Sequence, residues 1–146
     1  MADAARHDPY LNFNFAVEIE GHFIAGITEV DIPEARIEFA DYREGGVEAG
    51  SIRRLPGRVD YGPLVLRRGF TADRTLFQWW RNVSEGNLDR RNIAVILRDQ
   101  RGSDVARWSL YYALPTKYTG PTLRARGNDV AIESLELEVE GMELIE

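Results

Sequence analysis

Apolar and polar positions alternate over residues 13–20, a period of two that is typical of a strand with one buried face. The apolar positions are Phe13, Phe15, Val17 and Ile19. The next two residues, Gly21 and His22, predict a tight turn into a second strand over residues 23–30. The sequence therefore predicts a hairpin at the start of the fold.

A third strand is predicted around Ile37 and Phe39, which alternate with Glu38 and Ala40. The segment that follows, residues 43–62, is rich in glycine and poor in apolar side chains. Two interpretations stay open for it, a long loop or a loosely paired hairpin arm. Irregular segments of this length inside a compact domain usually have a function.

One helix is predicted between Asp73, whose carboxylate can cap the amides of a first turn, and Gly86, which suits the left-handed backbone at a helix end. Apolar residues recur there every three or four positions and predict one buried face. Its members are Leu76, Phe77, Trp80 and Val83. Trp80 is expected to pack in the core.

The last strand has an irregular pattern. Ile132 has the opposite parity to Leu135 and Leu137, which continue the apolar alternation. A change of parity at Glu133–Ser134 predicts a β-bulge, which inserts one residue and re-aims a strand. Together with strands predicted near residues 64–66, 93–97 and 108–112, this indicates a mainly β fold, a sandwich or a small barrel, with one α-helix.

Composition limits the classes of protein that remain. The chain has 146 residues, 44% of them hydrophobic, and contains no cysteine, which excludes disulfides, thiol nucleophiles and thiolate metal ligands. We expect one domain over residues 1–146, with residues 1–8 as a flexible N-terminal segment that does not resemble a secretory signal. The longest apolar run, residues 93–97, is too short to cross a membrane, so no membrane partner is expected.

Charge is unevenly distributed along a chain whose formal net charge is −6. Residues 1–52 hold three Arg and 11 acidic residues, residues 53–107 hold 12 Arg and six acidic residues, and residues 108–146 are acidic again. Acidic segments repel phosphate and do not favour nucleic-acid binding. Two interpretations remain: scattered surface charge, or a basic face on one copy that meets an acidic face on the next. Arg provides 17 of the 18 basic residues and suits such interfaces, because its guanidinium pairs with carboxylates bidentately.

The sequence contains no arrangement typical of catalysis or of cofactor binding. Glu18, Glu20 and His22 could share a strand face as metal ligands do, but a plain polar face is the preferred interpretation. The serines have no visible base partner, and neither a nucleophile elbow nor a phosphate-binding loop is present. We therefore expect no metal, no cofactor and no enzymatic activity.

An ordered set of short motifs covers nearly the whole chain, with one departure at Asp31-Ile32-Pro33 that affects a local turn. The motifs are Asp8-Pro9-Tyr10, Ala25-Gly26, Tyr42-Arg43-Glu44-Gly45-Gly46, Leu55-Pro56-Gly57, Leu66-Arg67-Arg68-Gly69, Trp79-Trp80, Arg91-Asn92-Ile93, Arg107-Trp108, Leu114-Pro115 and Ala131-Ile132-Glu133. In this order and spacing the chain resembles the tail tube (inner tube) proteins of contractile phage tails and of phage-tail-like contractile injection systems.

The resemblance implies two packed antiparallel sheets, a barrel-like sandwich, with one α-helix. It also implies that six copies form a ring and that rings stack head to tail into a hollow tube inside a contractile sheath. The implied partners are other copies of the chain, the sheath protein, and baseplate and tube-terminator proteins. Cargo or DNA would pass through the lumen without specific binding. Assembly is expected in the cytoplasm, as part of a phage tail or injection particle.

Two sets of residues are expected to serve this assembly. The glycine-rich segment is expected to contact a neighbouring subunit or ring through Arg43, Glu44, Gly45, Gly46, Arg53, Arg54, Leu55, Pro56 and Gly57. Alternating polar positions are expected to line the lumen, on one of two strand faces, through Asn14, Glu18 and Glu20 or through Glu136 and Glu138.

Three alternatives to this interpretation stay open. Two have the same fold, a type VI secretion ring protein and a tube-initiating baseplate paralogue. The third is a small-ligand-binding β-barrel, which would stay monomeric around an apolar interior. Self-association separates this last class from the others, because a tube protein forms rings or rods.

Overall fold

A computed structural model describes residues 8–42 and 53–145 of the chain. The helix of this part is α1 (Thr75–Ser84). Its strands are β1 (Phe15–Ile19), β2 (His22–Phe23), β3 (Ile27–Asp31), β4 (Ala35–Tyr42), β5 (Arg53–Tyr61), β6 (Leu64–Gly69), β7 (Arg91–Arg98), β8 (Asp104–Thr119), β9 (Ile132–Glu138) and β10 (Gly141–Ile145). The fold is mainly β with antiparallel sheets and one helix in the described residues, as the sequence predicts.

Eight strands pair in one continuous run that divides into two sheets at β8. In the first sheet, the order is β2, β1, β7, β8, β10; in the second, it is β8, β9, β6, β3. The first part of β8 pairs with β7 and β10, and the last part pairs with β9. Strand β8 passes from the first sheet to the second near Tyr112. This residue has a positive φ of 56°, and its backbone N–H donates to Asn92 Oδ1 at 3.0 Å.

The core lies between the two sheets and includes the buried side of the helix. Strands β1, β6 and β9 contribute alternate residues, as half-buried strands should, whereas the central strand β7 buries four consecutive residues, 93–96. The fully buried large side chains from both sheets and the helix are Val17, Leu64, Leu66, Leu76, Trp79, Ile93, Leu110, Leu135 and Leu137. Side chains thus fill the interior of the described sandwich.

The N-terminal hairpin is shorter than predicted. Its turn is formed by Glu20 and Gly21, both with positive φ, rather than by Gly21 and His22. Strand β2 has two residues, and a further turn at Gly26, with φ of +82°, directs the chain away. Strand β3 then pairs with β6 in the second sheet, so the predicted continuous strand over residues 23–30 is wrong.

The predicted bulge in the last strand is also wrong. Strand β9 pairs with β6 residue by residue, from Leu64 opposite Leu137 to Gly69 opposite Ile132. The buried positions begin at Glu133, two residues before Leu135, because the carboxylate side chain of Glu133 is itself buried.

The helix begins and ends near the predicted residues. Asp73 Oδ1 accepts the N–H of Thr75 at 2.9 Å, and Gly86 follows the helix with a φ of +101°. The buried helix face, however, contains Trp79, whereas Trp80 is only partly buried. Trp79 can lie in the core because its indole N–H donates to the carbonyl oxygen of Asp89 at 2.7 Å.

Candidate functional site

Strands β4 and β5 form a two-stranded sheet of their own, which we call the arm. Within the arm, pairing extends from Ala35 opposite Tyr61 to Tyr42 opposite Arg53. All side chains over residues 35–41 and 54–59 are exposed. The hairpin interpretation of the glycine-rich segment is therefore confirmed for its described part, which lies outside the core.

One side of the arm is apolar over residues 37–39, and the exposed Asp41–Arg54 pair continues the same side towards the tip. Ile37 and Phe39 share a parity, and Val59 lies directly opposite Ile37, so all three are on one side. They are 51%, 57% and 52% exposed. The other side carries Arg36 and Glu38, and such a division is typical of a sheet with one face against a partner.

The predicted contact residues occupy different places in the arm. Arg54 Nε lies 3.7 Å from Asp41 Oδ1 on the facing strand, and both side chains are exposed. Leu55 is 47% exposed opposite Ala40. Arg53 takes part in the ladder through its backbone. The predicted contacts Arg43, Glu44, Gly45 and Gly46 lie outside the described residues, as do residues 1–7 of the predicted N-terminal segment.

Gly57 has a structural role that its sequence context did not indicate. The pairing shifts between Ile37 and Phe39, which places an irregularity opposite Glu38. A Cβ on Gly57 would lie 3.0 Å from the backbone oxygen of Glu38. Glycine is therefore needed here because the two strands approach too closely for a side chain.

The first predicted set of lumen residues is held by contacts within the chain. The side-chain amide of Asn14 donates to the carbonyl oxygen of Asp99 at 3.0 Å. Glu18 forms an ion pair with Arg107 at 3.1 Å. Glu20 Oε1 accepts the backbone N–H of Asn92 at 2.7 Å and stabilises the hairpin turn.

The second predicted set lies on the outer face of the second sheet. Glu136 and Glu138 have the parity opposite to the buried leucines of β9. Glu136 pairs with Lys117 across the ladder at 3.6 Å. On the same face Arg67 binds both Asp31, at 2.9 Å, and Glu29. The two predicted lumen sets thus belong to different sheets, and the structure does not bring them together.

A group of buried polar side chains was missed by the sequence analysis. Arg68 and Glu133, directly opposite each other on β6 and β9, are 3% and 2% exposed. Arg68 Nη2 donates to Asp73 Oδ2 at 2.7 Å, and the Tyr118 hydroxyl donates to Glu133 Oε1 at 2.6 Å. Burial and the hydrogen bond to the Glu133 carboxylate raise the pKa of Tyr118 to about 12. Hydrogen bonds from Thr75 and Arg68 lower the pKa of Asp73 well below its usual range.

An open groove of about 490 Å³ lies between the ends of β1 and β7 and the edge strand β3. Its lining is largely apolar and includes Phe13, Phe15, Val30, Ile32, Leu97 and Trp108. Polar residues Asn12, Thr28 and Glu29 form part of its border. The groove is continuous with the core, because Val95, which also lines it, is a core residue.

Potential metal ligands are not clustered in the described part of the chain. No group of three or more His, Asp or Glu side chains could hold a metal ion there. Within the same residues, no helix is long and apolar enough to cross a membrane.

A β-sandwich with a protruding, partly apolar arm is typical of a structural protein whose surfaces are completed by other protein chains. The sequence profile of the T4-like virus tail tube protein gp19 matches residues 11–143. The chain belongs to this tail tube family and is a structural tube subunit of the contractile tail and injection-system class. The family resemblance found in the sequence is therefore confirmed.

Solved structures agree with the family match. A chain of the cryo-EM structure of the anti-feeding prophage (AFP) baseplate is 26% identical, with a TM-score of 0.79 over 96% of this chain and 97% of that chain. A chain of the PVC sheath-tube complex, an extracellular contractile injection system in its extended state, is 23% identical, with a TM-score of 0.82 over 94% and 91%. No curated protein sequence matches the chain at a comparable level.

The fold is also similar to that of a type six secretion system protein, which is 9% identical, with a TM-score of 0.57 over 91% of this chain and 83% of that chain. Hcp1 from Flavobacterium johnsoniae is 12% identical, with a TM-score of 0.56 over 89% of this chain and 93% of that chain. This likeness concerns the fold alone. The predicted class of two packed antiparallel sheets with one helix, as in tube-forming proteins, is confirmed.

Proposed function

We propose that six copies of the chain form a ring and that these rings stack head to tail into the hollow inner tube of a phage tail or injection particle. The role of the subunit is structural rather than enzymatic. Cargo or DNA passes through the lumen without specific binding. A single heterologous contact repeated along an axis suffices to build such an open filament.

The observation that carries this proposal is the exposure of the arm. A two-stranded hairpin is at best marginally stable in water without a surface to pack on. The arm nevertheless exposes about half of the Ile37, Phe39 and Val59 side chains to solvent in the single chain. Contact with a neighbouring subunit would bury them and stabilise the arm, and Arg43, Glu44, Gly45, Gly46, Arg53, Arg54, Leu55, Pro56 and Gly57 belong to this proposed contact.

One outer sheet face would line the lumen and keep it hydrophilic. The face with Glu136 and Glu138 favours this role, because charged and small polar side chains dominate it and Lys117 and Arg67 only partly neutralise its acids. The alternative face carries Asn14, Glu18 and Glu20, whose polar groups are engaged in contacts within the chain. A net acidic wall would repel nucleic acid and reduce its adhesion.

Partners of the tube follow from the assemblies in which similar chains occur. Those structures are a sheath-tube complex, a baseplate and a tube-terminating cap. For this chain we propose contacts with a sheath protein, a baseplate and a terminator, and assembly in the cytoplasm.

A tube-initiating baseplate ring is the second candidate, favoured by the 26% identity to a chain of the AFP baseplate. The length of the assembled particle separates the two roles, because a tube protein adds ring after ring whereas an initiating protein forms a single ring. A type VI ring protein has the weaker support of fold likeness alone.

Negative-stain electron microscopy and sedimentation of the purified, concentrated chain test the proposal. We expect rings with six subunits around the circumference and rods of variable length. Arg53→Glu together with Arg54→Glu should reduce rod formation while circular dichroism and thermal unfolding of the monomer stay unchanged. A chain that remains monomeric at high concentration would contradict the proposal, and unchanged rods in the double variant would remove these two residues from the contact.

A further inference from the structure

We infer that the groove between β1, β7 and β3 is the receiving site for the apolar face of the arm of a second copy of this chain. This inference rests on the proposed function, because it names the surface that one tube subunit offers to the next. It assigns to the contact residues that were not among the predicted contact residues, among them Phe13, Phe15, Val30 and Trp108.

The two surfaces match in chemistry. The groove presents aromatic and branched apolar side chains with a polar border, and Phe13 in its wall is 64% exposed. The arm presents Ile37, Phe39 and Val59 on one side, each about half exposed. Burial of apolar area from both sides is the main favourable term in such association.

The occupant cannot be the arm of the same chain. Ile32 lines the groove, and only Pro33 and Glu34 separate it from the first residue of β4. The base of the arm is held by a 2.9 Å hydrogen bond from the N–H of Gly62 to the carbonyl oxygen of Glu34. Phe39 lies five extended residues, roughly 16 Å, beyond this point and cannot fold back without breaking the ladder.

An arm and a groove at different places on the same chain make a heterologous contact. Each copy then gives an arm to one neighbour and receives an arm from another, so the contact propagates until a ring closes or a filament grows. This geometry explains why a hairpin without a hydrophobic partner of its own is retained in a chain of this size.

The absence of cysteine from the sequence allows a direct test with the full-length chain. Two single-cysteine variants, Phe39→Cys on the arm and Thr28→Cys at the groove, are mixed under assembly conditions and treated with a short bismaleimide cross-linker. The matched control replaces Phe39→Cys with Glu38→Cys, the adjacent residue on the opposite face of the arm. We expect a covalent dimer in the first mixture, at least about tenfold more abundant than in the control.

The outcomes separate this inference from the proposed function. Rods in the micrographs together with the Phe39–Thr28 cross-link support both. Rods without this cross-link, or with equal cross-linking of Glu38→Cys, overturn the inference and leave the tube role intact. No rods and no cross-link contradict both.

A second variant keeps the test independent of cysteine chemistry. Phe39 is exposed, so Phe39→Asp should leave the unfolding transition of the monomer unchanged. We expect it to weaken self-association by at least about tenfold, as loss of a central aromatic contact does. Glu38→Asp on the opposite face serves as its control, and equal assembly of both variants would overturn the inference.

Discussion

The Tyr118 hydroxyl donates a 2.6 Å hydrogen bond to Oε1 of Glu133, whose side chain is only 2% exposed. The other oxygen of this carboxylate has no hydrogen-bond partner in the described chain. Directly across the ladder lies Arg68, equally buried and held by Asp73 at the start of the helix. A small number of hydrogen bonds therefore stabilises two charged side chains inside the sandwich.

Tyr118→Phe is expected to lower the free energy of unfolding by about 1–3 kcal/mol, because it leaves a buried carboxylate without its donor. Urea denaturation near neutral pH measures the loss. Tyr112→Phe is the matched control, since the Tyr112 side chain is exposed, and it should unfold with the parent chain. Equal stability of the two variants would show that the Glu133 carboxylate does not depend on this bond.

The raised pKa of Tyr118 also predicts a loss of folding stability at alkaline pH. Its folded pKa of about 12 exceeds the ordinary value of 10.0, so the folded state favours the neutral hydroxyl. The corresponding stability is fully present below pH 10 and is lost as the pH rises through about 12. Tyrosinate absorbance of the folded parent chain should contain a late-titrating component that Tyr118→Phe lacks. Identical titration curves of the two chains would contradict the prediction.

Asp73→Asn is expected to destabilise the chain by at least about 1 kcal/mol, because Asp73 accepts the N–H of Thr75, the first residue of the helix, and also pairs with the buried Arg68. The lowered pKa of Asp73 means that its contribution is present above the ordinary value of 3.8 and is lost as the pH falls below it. The stability difference between parent and variant, measured by urea denaturation, should therefore shrink in acid. Asp129→Asn, in an exposed loop, is the control. A difference that is constant with pH would mean that charge at Asp73 has no role.

Gly57→Val is expected to weaken assembly without unfolding the sandwich. The new Cβ would contact the backbone oxygen of Glu38 at 3.0 Å and distort the arm, whose exposed residues 35–41 and 54–59 are not part of the core cluster. Rod length by electron microscopy and monomer stability by thermal unfolding are the two measurements. Gly102→Val provides the comparison, because its site is open but its φ of +86° strains any side chain. Gly102→Val should lose stability and still assemble. If Gly57→Val instead assembles like the parent chain, the arm lies outside the contact.

Leu137→Asp is expected to abolish cooperative folding, since Leu137 is fully buried and an unpaired carboxylate there costs several kcal/mol. Glu138→Gln, one residue further on the exposed face, should fold normally. Far-UV circular dichroism and solubility distinguish the two. A folded Leu137→Asp variant would mean that the faces of β9 are reversed.

The strand pattern predicts much of the fold because alternation reports directly which side of a strand is buried. It fails where a polar side chain takes an apolar position. Glu133 has the parity of Leu135 and Leu137, and its burial is accompanied by a hydrogen bond from Tyr118 and by the position of Arg68 directly opposite it on β6. Three-dimensional partners of this kind are not visible in a one-dimensional pattern.

The helix shows a second limit of the sequence analysis. Spacing alone favours Trp80 as the core residue, yet the neighbouring Trp79 is buried. The choice depends on the carbonyl oxygen of Asp89, which accepts the indole N–H, and on Arg91, whose guanidinium lies 4.8 Å from the Trp79 ring. Both partners come from the segment after the helix, so the periodicity of the helix does not include them.

The candidate site could be predicted only in part. Glycine content indicates the arm, but the apolar face of Ile37, Phe39 and Val59 appears only when the register of the two strands is known. The groove was not predictable, because Phe13, which precedes β1, and Val30 of β3 are 17 positions apart and these two strands do not pair with each other.

Strand β8 has a mechanical consequence for a wall built from such subunits. Its first part is hydrogen-bonded to β7 and its last part to β9, with Tyr112 near the transition. Sliding of one layer over the other would have to rupture one of these ladders or stretch the covalent backbone between them. A sudden axial load is therefore shared by both sheets, which cannot slide apart while β8 stays paired in each of them.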